Sequence, residues 1–304
     1  MSIRVFPAEG DADDQRSLDV YNAVHPREPV GLMESREWRR QSRHAQVFLA
    51  EFDGELAGAG HVAVPSYMDL PVGQIYVLAR CRRQGVGQEL YRALSAWAAV
   101  HGASTLLTTV DDDDPDSLAW AQRRGFSEQS RDKLVELDLT AFEPRPVEPP
   151  EGVEIVTWAE RPELARGLHE TAAEGGPDIP GDEDHRIEPL EEWLSVHMTG
   201  EGDRPEGVFV AVANGEVVGY AKFSFWAAKP DTLFHDLTAV KRAWRGRGLA
   251  RALKHTQLNW AKQAGYRFAR TSNEERNEPI RRLNEQLGYE PIPGRIVLDG
   301  PLAD

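Results

Sequence analysis

Cysteine is almost missing from this chain: Cys81 is the single one among 304 residues. One thiol cannot form an intramolecular disulfide, so a reducing, cytoplasmic setting is expected. Long apolar runs are missing as well. None approaches the roughly 20 residues that a helical membrane span requires, and no basic segment leading into an apolar one marks the N-terminus as a signal peptide. No membrane partner is therefore expected. Positive charge is not in excess either. The net charge of −15 would repel a polyanion over most of the surface, which argues against a nucleic-acid partner. No bound metal is expected. What is present, 40% hydrophobic and 28% charged residues, describes a soluble globular protein. Its length exceeds that of one ordinary domain, so two are expected, in a monomer or homodimer.

The most informative stretch runs from Leu233 to Ala264. It opens with an apolar, β-branched segment ending at Val240, suited to a buried strand. A basic turn with two glycines follows, Arg245-Gly246-Arg247-Gly248-Leu249-Ala250. The chain then reads as a helix, with Leu249, Leu253, Trp260 and Ala264 near one face. Strand, glycine-bearing basic turn and helix together make an anion site. Glycine lets the backbone approach a phosphate, and the unpaired N–H groups and dipole of the first helical turn favour negative charge.

The pattern occurs twice. A shift of 163 carries Val77 onto Val240, Arg82 onto Arg245, Gly85 onto Gly248, Gly87 onto Ala250 and Gly125 onto Gly288. One shift aligning two separate motifs implies two copies of one domain, expected at 1–141 and 153–304 with a proline-rich linker at 142–152. Hairpins are expected across Asp53-Gly54 and Asn214-Gly215. The first copy is read as strand 3–6, helices 17–24 and 35–43, the hairpin, a strand ending at Val77, helix 88–99, strand 105–110, helix 117–124 and a last strand at 133–139. The second repeats that order and closes on a strand at 295–298. It adds a long insertion, 173–188, between its first two helices.

The turn through Arg245, Gly248 and Ala250, followed downstream by Asn277, a short helix and Gly288-Tyr289, resembles the GNAT acyltransferase superfamily. The resemblance implies an α/β (α+β type) fold, each half a mixed, mostly antiparallel sheet flanked by helices. It implies acetyl-coenzyme A as co-substrate, its arm paired with backbone groups of Thr238 and Val240. Its pyrophosphate would lie on Arg245, Gly246, Arg247, Gly248, Leu249, Ala250 and Arg251, with Asn277 on the other side. In the first half, Val77, Arg82, Gly85 and Gly87 hold the matching positions.

The expected reaction is N-acetyl transfer to a primary amine of a small molecule by direct attack, with the second half catalytic and the first not. The acceptor ammonium must lose a proton before it can attack. Asp236 and His235 are the base candidates, on opposite faces of the strand. Glu174, Asp178 and His185 in the insertion are further candidates, for the base or for acceptor binding. Asn284 takes the place where many relatives carry a tyrosine as acid for the leaving thiolate, and an amide has no such proton to give. The first half has Ala121 there, and Asp114 in place of Asn277. The alternatives are a non-catalytic coenzyme A sensor or scaffold, or transfer to a protein amine. Cys81 reads as an inert thiol.

Overall fold

Both hairpin signals close antiparallel strand pairs in the computed structural model, which describes residues 2–66, 68–180 and 187–303. Asp53 and Gly54, and likewise Asn214 and Gly215, all have positive φ. That is the type I′ geometry whose twist matches the flanking strands.

The chain divides into two compact units, Met1–Ser130 with Arg295–Asp304, and Arg131–Gly294. In the first, β1 (Ile3–Pro7), β2 (Ser42–Phe52), β3 (Glu55–Pro65), β4 (Val72–Val77) and β5 (Thr105–Asp111) lie in that order. Four helices accompany them among the described residues: α1 (Gly10–Val24), α2 (Leu32–Arg40), α3 (Val86–Val100) and α4 (Pro115–Gln122). All neighbouring pairs among these strands are antiparallel except β4 with β5. Helix α1 begins well before the expected 17, because Asp11 and Asp13 in its first turn complement the helix dipole.

The second unit repeats the plan with β7 (Val153–Thr157), β8 (Asp203–Ala213), β9 (Glu216–Phe225), β10 (Thr232–Val240) and β11 (Phe268–Glu274). Its helices include α5 (Ala165–Gly175), α6 (Leu190–His197), α7 (Leu249–Gln263) and α8 (Glu278–Leu287). Here the parallel pair is β10 with β11.

The last strands depart from expectation. Each repeat should close its own sheet, yet each sheet is completed by the other repeat. Strand β6 (Ser127–Asp138), which follows the first copy's α4, pairs antiparallel with β11 from Asp132 to Asp138. Strand β12 (Glu290–Pro301), at the end of the second copy, pairs with β5 from Arg295 to Pro301. Burial drives this. Leu137 packs among Phe223, Leu233, Ala269 and Leu287, whereas Ile296 and Leu298 pack among Val62, Leu94, Leu106 and Phe126. The expected boundaries at 141 and 153 give way to breaks at 130 and 294. The proline-rich 142–152 segment lies within the second unit. There Phe142 joins the core, and Asn259 of α7 exchanges two hydrogen bonds with the backbone of Arg145.

Candidate active site

In each unit the strand before the basic turn delivers the chain to a helix whose N-cap is a left-handed glycine. Gly85 (φ 92°) caps α3 and Gly248 (φ 81°) caps α7. Any side chain would be strained there, and the turn needs that conformation to aim its N–H groups outward. The repeat extends to side chains. Arg82 Nε donates to Val77 O at 3.4 Å, and Arg245 Nε donates to Val240 O at 3.0 Å. Each guanidinium is thereby folded onto the end of its strand, beside the helix N-terminus.

Beyond the turn the two central strands part. In the first unit β4 and β5 pair only at Val72 and Leu107, so the rest of each strand borders a gap. A cavity of about 860 Å³ fills it. Val77, Arg82, Gly85 and Gly87, four positions singled out from the sequence, line its mouth together with Arg83 and Arg124. Arg124 lies 3.6 Å over the Trp120 ring and donates twice to Gln88 Oε1, which holds its charge near the cap of α3. Gln74 and Tyr76 project from β4, and Tyr76 Oη donates to the Gln74 carbonyl while the Gln74 amide reaches Thr109 on β5.

The far end of the cavity carries Tyr21 from α1, His25 just past the end of that helix, Trp38 from α2, His61 from β3, Asp111 from β5 and Arg295 from β12. His25 Nδ1 lies 3.3 Å from Asp111 Oδ2. That hydrogen bond, helped by the charges of Arg295 and Arg27, holds the Asp111 carboxyl below its usual range. Burial pushes His61 down to about 4, with Arg39 adding to the effect, so it is neutral at pH 7. Burial also raises Tyr21 to about 12 and Tyr76 well above its ordinary value. His25 is thus an imidazole oriented by a carboxylate, the arrangement that lets histidine accept a proton. No motif in the sequence points to it, and Arg295 arrives only through the exchanged strand. In the acidic run, Asp111 holds His25, Asp113 holds Arg27, and Asp114 caps α4 by accepting from Ser117.

The second unit treats its turn differently. Asp178 accepts from Arg242 at 2.8 and 3.0 Å and lies 2.7 Å from the Arg245 guanidinium. These arginines, Arg242 first, hold the Asp178 carboxyl at about 2. Glu174 accepts from the Arg242 backbone N–H. Two expected base candidates are therefore spent on the basic turn, and His185 lies outside the described residues. His235 is 2% exposed against the Phe223 ring, and burial holds it far below the usual histidine range. It lies in the core and not in a cleft, which corrects its reading as a base.

Asp236 lies on the opposite face and binds Lys222 and Ser224, with Lys222 also 2.7 Å from Asp203. Thr238 and Val240 pair with Ala221 and Gly219 of β9, while pairing of β10 with β11 ends at His235 and Thr271. One edge of β10 is therefore open beyond that point. Space above Gly246 and Gly248 is clear. Leu249 is buried, Arg247 lies over Trp244, and Arg251 donates to Gln286. Asn277 caps α8 by position, with no side-chain bond to its backbone. Asn284 is buried, accepting from Lys254 Nζ at 2.8 Å and donating to Asn273 at 2.7 Å. Cys81 is buried in the core of the first unit with Ala50, Ala57, Val86 and Leu90, as a packing residue.

Parted parallel strands beside a glycine-capped helix N-terminus, present in two copies, define an acyltransferase of the tandem type. The model of the acetyltransferase (GNAT) family matches residues 14–126 and again 165–289, and the chain belongs to that family. Among solved structures, a GCN5-related N-acetyltransferase from Sphaerobacter thermophilus is similar at 21% identity and a TM-score of 0.78, over 99% of this chain and 96% of that one. A tandem GNAT protein from the clavulanic acid biosynthesis pathway is similar at 21% identity and a TM-score of 0.80, over 100% and 99% of the two chains. At such identities both show a shared fold. The search of curated proteins gives no match. No helix among the described residues is long and apolar enough to cross a membrane.

Proposed function

We propose that the protein moves an acetyl group from acetyl-coenzyme A to a primary amine of a small molecule, and that the reaction runs in the cavity of the first unit. The sequence alone directs attention to the second. What carries the proposal is the continuity of one cavity from the glycine-capped basic turn to the His25–Asp111 pair. The pyrophosphate would meet the N-terminus of α3 with Arg82 and Arg83, and the arm would follow the open edge of β4 toward Gln74. His25 would take the proton from the acceptor ammonium, and Asp111 would stabilise the imidazolium that results. The neutral amine then attacks the thioester carbon. Backbone N–H groups of the parted strand hold the oxyanion of the tetrahedral adduct. The adduct collapses with coenzyme A leaving as thiolate, and the second proton shed by the acylated nitrogen passes to that thiolate. A cavity of about 860 Å³ has the size that suits a small acceptor.

The test is thiol release from acetyl-coenzyme A with a panel of amines. His25→Gln should lower kcat/KM by roughly two orders of magnitude while calorimetric affinity for coenzyme A holds. Undiminished turnover in that variant would remove His25 from the mechanism.

A further inference from the structure

We propose that Arg295 is the positioning residue of the first unit's site, bracing His25 from two sides, through Glu28 and beside Asp111. The inference rests on the reading that His25 is the base. His25 stands at the C-cap of α1, where the chain leaves the helix and turns. Its ring meets Tyr21 at 4.9 Å and Tyr76 at 5.4 Å. Those contacts place the imidazole without choosing where either nitrogen points. The choice falls to Asp111, and among the described residues His25 is the one hydrogen-bond partner of that carboxylate. A carboxylate at a strand end, held only by the group it should orient, leaves both loosely fixed.

Strand β12 supplies the missing support. Arg295 and Asp111 are directly opposite one another in the antiparallel register of β12 and β5. Side chains so opposed leave the same face of the sheet, with Cβ atoms about 4.5–5.5 Å apart. After the His25 hydrogen bond itself, the Arg295 charge is among those that keep Asp111 ionised. The same guanidinium lies 2.6 Å from Glu28 Oε2, and the Glu28 backbone N–H donates to His25 O at 3.0 Å. Glu28 thus closes the turn that carries His25, and Arg295 ties that turn to the sheet. A second ion pair, Arg27 with Asp113 at 2.8 Å, spans the same gap but is exposed, and such pairs hold little. Arg295 takes no proton itself. It acts by keeping the imidazole and its carboxylate in line.

Thiol release and hydrogen exchange, both on the full chain, test this. Arg295→Met should lower kcat roughly tenfold while calorimetric affinity for coenzyme A stays within about twofold. In a His25→Gln background the same substitution should cost less than about twofold, because nothing is left for it to position. Peptides covering residues 25–30 should exchange roughly tenfold faster in Arg295→Met, and also in the isosteric Glu28→Gln, with β5 peptides unchanged. A tenfold loss that persists without His25 overturns the proposal, since Arg295 would then meet the acceptor directly. Equal loosening of β5, or no change at 25–30 in either variant, overturns it as well. The two readings fail separately. Full turnover in His25→Gln with the turn loosened as expected keeps the brace and removes His25 as the base. Loss of turnover in His25→Gln with Arg295→Met at the parent rate removes the brace alone.

Discussion

Leu298→Ala places a lesion in the last strand of the second repeat, and its effect should appear in the first unit. Leu298 is fully buried, packed with Val62, Leu94, Leu106 and Phe126, and its strand pairs with β5 over seven positions from Arg295 to Pro301. Truncating a buried leucine costs its transfer free energy plus that of the cavity left behind, about 2–5 kcal/mol. At about 3 kcal/mol, amides that exchange by opening of that unit should speed up on the order of 100-fold. Hydrogen exchange read by mass spectrometry resolves where this falls. Peptides covering β4 and β5 should accelerate by that factor, while those covering β10 and β11 change less than about threefold. Leu137→Ala, in the strand that joins β11, should give the mirror-image pattern. If Leu298→Ala accelerated β10 and β11 as much as β5, or instead of it, the assignment of the exchanged strands would be wrong.

Two further outcomes follow from charges in the second unit. Burial lowers the Lys254 ammonium to about 7 from 10.5. Below about pH 7 folded and unfolded chains both hold that proton, and the full desolvation cost is present. As pH rises from there toward 10.5 the folded chain releases it first, so the cost is relieved. The thermal stability of Lys254→Met relative to the parent should therefore be greatest near pH 6 and shrink by pH 9, and melting curves that stay parallel across that range would contradict a lowered Lys254. Asp178 already occupies the second basic turn through Arg242 and Arg245. Asp178→Asn should free both arginines and raise the calorimetric stoichiometry of coenzyme A from one per chain to two. A stoichiometry of one in both proteins would show that the carboxylate is not what keeps that turn closed.

Much of this was legible in local sequence, because turns and caps are local. Asp53-Gly54 and Asn214-Gly215 had to be hairpins, and the shared shift of 163 located both left-handed glycine caps. The exchange of β6 and β12 was not legible. Either strand alternates as well against one sheet as against the other, and only the burial of Leu137 and Leu298 decides between them. Arg295 enters the first cavity for that reason alone. His25 and Asp111 come from a helix end and a strand end far apart in the chain, with no spacing to link them. In the second unit the spacing places Asn277 at the N-cap of α8, and Asn284 stands where the resemblance implies a tyrosine. Its chemistry was hidden, because Lys254 one helix away supplies the partner that decides what Asn284 can do.

The central claim is that the first unit carries the reaction, and the two glycine caps test it as a matched pair. Gly85→Val and Gly248→Val impose left-handed strain at equivalent turns, and at Gly85 the added Cβ also stands 3.2 Å from Ile3 Cδ1, so the Gly85 variant is compared only when it melts as the parent does. Thiol release from acetyl-coenzyme A with a productive amine should fall at least about 100-fold in Gly85→Val and stay within about threefold of the parent in Gly248→Val. The reverse pattern, in chains that melt as the parent does, would place the chemistry in the second unit and contradict the account.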